Sequence, residues 1–191
     1  MSKTYPLVVS FPRSGVNWFC RAFETITGRR SPGQRRGIST RKTAVFRRTH
    51  ATRNKRLRLL VNNGRLDKVL LLLRDPAVSF MRQNDTFPFD VYIENILFYD
   101  WAPVPKRIVH FDELFQEETI YDTVRWMGFK YTPFADFAAS LEMSKAWYAR
   151  KKHPNYKRTA PSQEDAALAF EQCRQGLGDD LYRKYLACYC T

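Results

Sequence analysis

The sequence predicts an α/β fold of three layers: a mostly parallel central sheet, helices on both of its faces, and a helical final third. Three observations carry this expectation. The run Leu7-Val8-Val9-Ser10-Phe11 is short, apolar and β-branched, stops at Pro12, and leads straight into helical spacing at Trp18, Phe19, Ala22, Phe23 and Ile26. Val69-Leu70-Leu71-Leu72-Leu73 is continuously apolar between Lys68 and Arg74, which suits a strand covered on both faces of a parallel sheet. From Pro133 onward the pattern is helical, with a polar break over Lys151 to Ser162. With 191 residues, 44% of them apolar, the chain is long enough for one sizeable core, and we expect one domain spanning 1–191.

Taken in order, the first strand and helix are joined by Arg13-Ser14-Gly15, a cation, a hydroxyl and a glycine at a helix start. The first N–H groups of a helix have no partner within it, and its dipole favours anions there. Arg13 and Ser14 add donors suited to a phosphate oxygen. The residues after Gly15 are Val16 and Asn17, not the Lys-Ser/Thr pair that a magnesium-dependent nucleotide loop requires. Gly28 to Thr40 reads as a surface loop, Thr43 to Thr49 as a strand ending at His50, and Leu57 to Val61 as a short helix stopping near Asn62-Asn63-Gly64. After the apolar strand, Arg74-Asp75-Pro76 places a second cation beside a helix start at Pro76. Phe89 to Trp101 reads as a helix, Lys106 to Phe111 as a strand, and Ile120 to Phe129 as an amphipathic helix ended by Gly128, with Asp112 as a helix cap. Ser162-Gln163-Glu164-Asp165 marks the start of the last helix.

Composition narrows the function classes. No run of 18 apolar residues occurs and the first six residues form no apolar signal region, so the expectation is a soluble, cytoplasmic protein with no membrane span. Cys20 falls on the apolar side of the first helix. Cys188 and Cys190, without a neighbouring histidine in sequence, are read as thiols and not as metal ligands. The formal charge is +13, and no acid lies between Glu24 and Asp67, a segment with basic residues from Arg29 to Arg65. A one-sided block of this kind points to an anionic partner, and nucleic acid, an acidic glycan and a nucleotide are all admissible. A basic nucleic-acid-binding protein is one alternative function and a P-loop-like phosphotransferase another.

Ser10-Phe11-Pro12-Arg13-Ser14-Gly15-Val16-Asn17-Trp18 resembles the 5′-phosphosulfate loop of sulfotransferases that use 3′-phosphoadenosine 5′-phosphosulfate (PAPS), with Val16 in place of a hydroxyl residue. Arg74-Asp75-Pro76 followed by Ser79 resembles that family's 3′-phosphate motif, shortened by about three residues, and Arg48-Thr49-His50 resembles its basic residue, Thr and catalytic His. The resemblance spans roughly residues 7 to 130. It implies a P-loop-like fold and metal-free, in-line transfer of a sulfuryl group from PAPS to an acceptor hydroxyl or amine, releasing PAP. It further implies that Arg13, Ser14, Gly15, Val16 and Asn17 hold the 5′-phosphosulfate and that Arg74 with Ser79, or Arg82, holds the 3′-phosphate. Trp18 would stack on adenine or else belong to the core, and Arg150-Lys151-Lys152 would close over the nucleotide. His50 is the expected base, with Asp85, Asp90 or Glu94 as substitutes, and Arg13 and Arg48 the cations that steady developing charge. The expected acceptor is a small molecule or glycan, itself anionic, because the acid-free segment runs up to His50.

Overall fold

The computed structural model describes residues 4–32, 44–81, 87–150 and 160–189. Among these residues four strands form one all-parallel sheet: β1 (Tyr5–Ser10), β2 (Arg47–Thr49), β3 (Leu66–Leu73) and β4 (Lys106–His110), in the spatial order β2-β1-β3-β4. The helices are α1 (Val16–Thr27), α2 (Lys55–Asn62), α3 (Pro76–Met81), α4 (Asp90–Trp101), α5 (Glu117–Trp126), α6 (Phe137–Arg150) and α7 (Gln163–Leu186).

The sheet divides the core in two. Successive side chains of a strand point to opposite faces. Leu7 and Val9 of β1, with Val69, Leu71 and Leu73 of β3, therefore face α2, α4 and α7. Val8, Leu70 and Leu72 face α1 and α5, and the start of α6 packs on the same side. All eight of these strand residues are buried, so the unbroken apolar runs of β1 and β3 are a direct record of two covered faces. On the α1 side, Phe23 is wholly buried, its ring edge-on to Phe46 at 5.0 Å and to Phe129 at 5.1 Å. Three layers, helices on both faces and a helical final third stand as expected.

Two local expectations are corrected. The second strand is only three residues long, because Phe46 turns into the core against Phe19 and Phe23 while the Val45 N–H bonds to the Arg30 carbonyl at 3.2 Å, outside the ladder. Asp112 sits at the cap position of a 3₁₀ turn, Glu113–Phe115, but its side chain makes no capping bond. Glu113 takes the polar role instead, accepting from the His110 N–H at 2.8 Å. The last helix does begin where expected, with Ser162 and Asp165 bonded reciprocally as a capping box. Among the described residues no helix is long and apolar enough to cross a membrane.

Connectivity marks one place on the sheet. From β1 the chain crosses by α1, on one face, to edge strand β2; it returns by α2, on the other face, to β3. The loops after β1 and β3 thus part to opposite faces at neighbouring strands, the crevice where open α/β sheets bind ligands.

Because Phe23 fills the space between α1 and three other aromatic rings, Phe23→Ala is expected to cost ~3–5 kcal/mol of unfolding free energy. Urea titration of the purified variant measures it, and a loss under ~1 kcal/mol contradicts this account of the core.

Candidate functional site

The β1–α1 loop is built around two residues in left-handed backbone conformations. Gly15, the cap of α1, has φ +82°, and a Cβ there would stand 2.6 Å from Leu114 Cδ1. Arg13 has φ +76°, the one positive value for a non-glycine among the described residues. Such a backbone costs about 1–3 kcal/mol and survives only where its surroundings enforce it. Here the Ser14 N–H closes on the Phe11 carbonyl at 3.3 Å, and the Phe19 N–H on that of Gly15 at 3.0 Å. The turn leaves the first N–H groups of α1, those of Val16, Asn17 and Trp18, without helical partners.

Arg74 reaches across from the end of β3. Its Nη1 donates to the Arg13 carbonyl at 3.0 Å, and its guanidinium carbon lies 3.6 Å from the Phe111 ring centre. Asp75 does not need Arg74 as a partner, since its Oδ1 accepts from the Val78 N–H at 2.8 Å at the start of α3. Arg48, the middle residue of β2, donates to Asn17 Oδ1 at 3.2 Å and so ties that strand to the first turn of α1. The two switch-point loops and β2 are thereby joined through arginines.

His50 lies at the same end. Its Nδ1 is 2.9 Å from the Ser10 carbonyl oxygen and 3.2 Å from Ser10 Oγ. A carbonyl only accepts, so Nδ1 carries the hydrogen and Nε2 keeps its lone pair. Burial lowers the histidine pKa from its usual value; the Ser10 carbonyl bond opposes this, and the Arg48 charge adds to it. The ring is thus held neutral with its basic nitrogen turned from Ser10.

Two residues that sequence reasoning passed over brace this arrangement from α4. Tyr92 donates its hydroxyl to the Arg74 carbonyl at 2.6 Å, and Asn95 donates Nδ2 to the His50 carbonyl at 3.0 Å. They stand three residues apart, on one helix face. The readable signal was an Asn inside an apolar stripe. The neighbouring acids Asp90 and Glu94, considered as substitute bases, are both engaged by Arg53. Asp85 lies outside the described residues, as do Arg82 and Lys151-Lys152.

Other site expectations change with the structure. Trp18 is a core residue and not an exposed stacking platform: it is 6% exposed, it lies against Phe115 and Phe137, and its indole N–H donates to the Leu114 carbonyl at 2.7 Å. Val16 is likewise buried, so only its backbone faces the loop. Ser14 and Ser79 are fully buried, and neither hydroxyl has a hydrogen-bond partner among the described residues. The described cations of the acid-free segment do not gather at this end as a block. Arg47 starts β2 and lies over Tyr5 at 5.9 Å, Arg29 lies over Phe129 at 5.7 Å, and Arg58 lies over Trp101 at 4.9 Å.

On the β4 side, His110 Nδ1 meets the Tyr189 hydroxyl at 2.7 Å, with Cys188 Sγ 3.9 Å away. That hydroxyl also donates to the Leu73 carbonyl at 3.2 Å, which seats the C-terminal turn on the ends of β3 and β4. No local pattern could have announced a contact between residues 79 positions apart. Cys190 lies outside the described residues.

No protein-family model matches the chain, and no curated protein is similar to it at a significant level.

The depressed His50 pKa carries a sign. Between the folded value and the ordinary ~6.5, the unfolded chain binds the proton and the folded chain does not, so stability rises with pH there. Wild type should therefore lose stability as pH falls through ~6.5, and His50→Gln should lose less. Urea unfolding from pH 7.5 to 5 compares them; equal slopes mean that His50 titrates normally.

Proposed function

We propose that this protein is a PAPS-dependent sulfotransferase acting on an acceptor hydroxyl or amine of a small molecule or glycan. The observation that carries the reading is the meeting of Arg13, Arg74 and a neutral His50 at the carboxyl ends of three adjacent strands. The residues fit the donor in a further respect. Buried hydroxyls without partners are costly, and among the described residues those of Ser14, in the turn before α1, and Ser79, within α3, have none. Phosphate oxygens are the acceptors that would satisfy them. Neither is open to solvent, so a ligand reaches them only with a local shift of the loops.

In this reading Arg13, Ser14 and the first N–H groups of α1, with Gly15 keeping the backbone close, hold the 5′-phosphosulfate. Arg74 and Ser79 hold the 3′-phosphate. When bound, PAPS supplies an activated sulfuryl group on a phosphate leaving group. His50 Nε2 takes the acceptor proton, and the Ser10 carbonyl on Nδ1 steadies the imidazolium that results. Arg13 steadies charge developing on the leaving phosphate, while Arg48 acts through Asn17, which it orients. Asn95 and Tyr92 are positioning residues. The acceptor's charge is left open, because the described cations of the acid-free segment spread over other surfaces.

Adenosine 3′,5′-bisphosphate should raise the melting temperature without magnesium, and Arg74→Ala should weaken its binding by ~1.5–3 kcal/mol in calorimetry. Stabilisation by Mg-ATP alone would sink the reading. His50→Ala should keep nucleotide affinity and lower turnover by ~10²–10⁴-fold. Wild-type turnover in that variant would pass the role of base to another residue.

A further inference from the structure

We propose a second functional surface: the outward face of α2, together with Trp101 of α4, docks on an anionic lipid bilayer. The helix reads Lys55-Arg56-Leu57-Arg58-Leu59-Leu60-Val61-Asn62 and contains no acid. Leu57, Leu60 and Val61 turn inward to the core. Helical spacing then sets Lys55 and Leu59 on the outward crest, with Arg56 and Arg58 on its two flanks. Leu59 is 57% exposed and Trp101 38%, two of only four large apolar side chains exposed among the described residues. Arg58 lies over the Trp101 ring at 4.9 Å and links the two helices into one patch.

Pairing of the α4 acids with other residues explains why this patch stays cationic. The nearest acids on α4 are already engaged: Asp90 and Glu94 by Arg53, and Asp100 by Lys184 and Tyr185. What remains outward is a set of cations around a leucine and a tryptophan. That is the composition of an interfacial anchor, in which basic groups meet anionic headgroups while Leu and Trp enter the headgroup–acyl boundary. A nucleic-acid surface would use the cations and the tryptophan but has no use for an outward leucine on the crest between them. The bilayer uses all of them.

The test is sedimentation of the full chain with phosphatidylcholine vesicles containing or lacking 30% phosphatidylserine. Binding should require phosphatidylserine and fall about 25-fold in the double variant Arg56→Gln/Arg58→Gln, near fivefold for each cation removed. The control Lys130→Gln/Lys145→Gln removes the same charge from exposed positions on the other side of the sheet and should bind as wild type. Leu59→Ser should weaken binding at high as well as low salt, and brominated lipid should quench tryptophan fluorescence less in Trp101→Phe than in wild type. Melting curves establish that each variant is folded, and Leu59→Ser leaves every cation in place. Equal loss in both charge-removing pairs, equal binding to neutral vesicles, no effect of Leu59→Ser, or tighter Trp101-dependent binding to an oligonucleotide would each overturn the proposal.

Discussion

The two-sided burial of β1 and β3 is the constraint on which the rest of this structure depends. A strand with Leu7, Val8 and Val9 in succession has no face to offer water, and neither has Val69 to Leu73. Helices must therefore cover the sheet above and below, and strands joined through such helices run parallel. Parallel strands bring all their carboxyl ends to one edge. From that, the loops bearing Arg13, His50, Arg74 and Phe111 share one end of the molecule, although a hundred residues of chain separate the first from the last.

At that edge the local geometry is tightly enforced. The left-handed backbone at Arg13 is held by the guanidinium of Arg74, which bonds to the Arg13 carbonyl, and by Gly15, whose missing Cβ lets Leu114 and Phe111 close over the turn. Strain kept in place by neighbours from two other loops is characteristic of sites that hold a ligand. The same economy fixes His50, whose ring is aimed by a main-chain carbonyl and whose own carbonyl is held by Asn95. Backbone partners of this kind set a tautomer more firmly than a mobile side chain would.

The distribution of charge follows a different logic. The described cations between Arg29 and Arg65 share one acid-free stretch of sequence but stand on different elements, Arg47 and Arg48 on β2 and Lys55, Arg56 and Arg58 on α2. Arg29 and Arg47 lie over aromatic rings, Arg48 donates to Asn17, Arg53 pairs with Asp90 and Glu94, and Lys55, Arg56 and Arg58 of α2 are exposed. A charge block in sequence became several separate surfaces in space.

The layers and the parallel sheet were legible in the sequence because hydrophobic periodicity records burial directly: two covered faces make Val69 to Leu73 a continuous run, and one covered face makes α1 a stripe. The turn between β1 and α1 was legible too, since Gly15 and the helix start are local events within a few bonds of one another. What lay beyond the sequence was every choice that depends on which segments meet. Trp18 went to the core because Leu114 and Phe115 come to meet it from a distant turn. The second strand stopped short because Phe46 found Phe23. Asn95 became a brace for His50, and Tyr189 a partner for His110, through contacts between residues 45 and 79 positions apart. Periodicity fixes which face of an element is buried, but the partner on that face is selected by packing, and packing is decided only when the whole chain has folded.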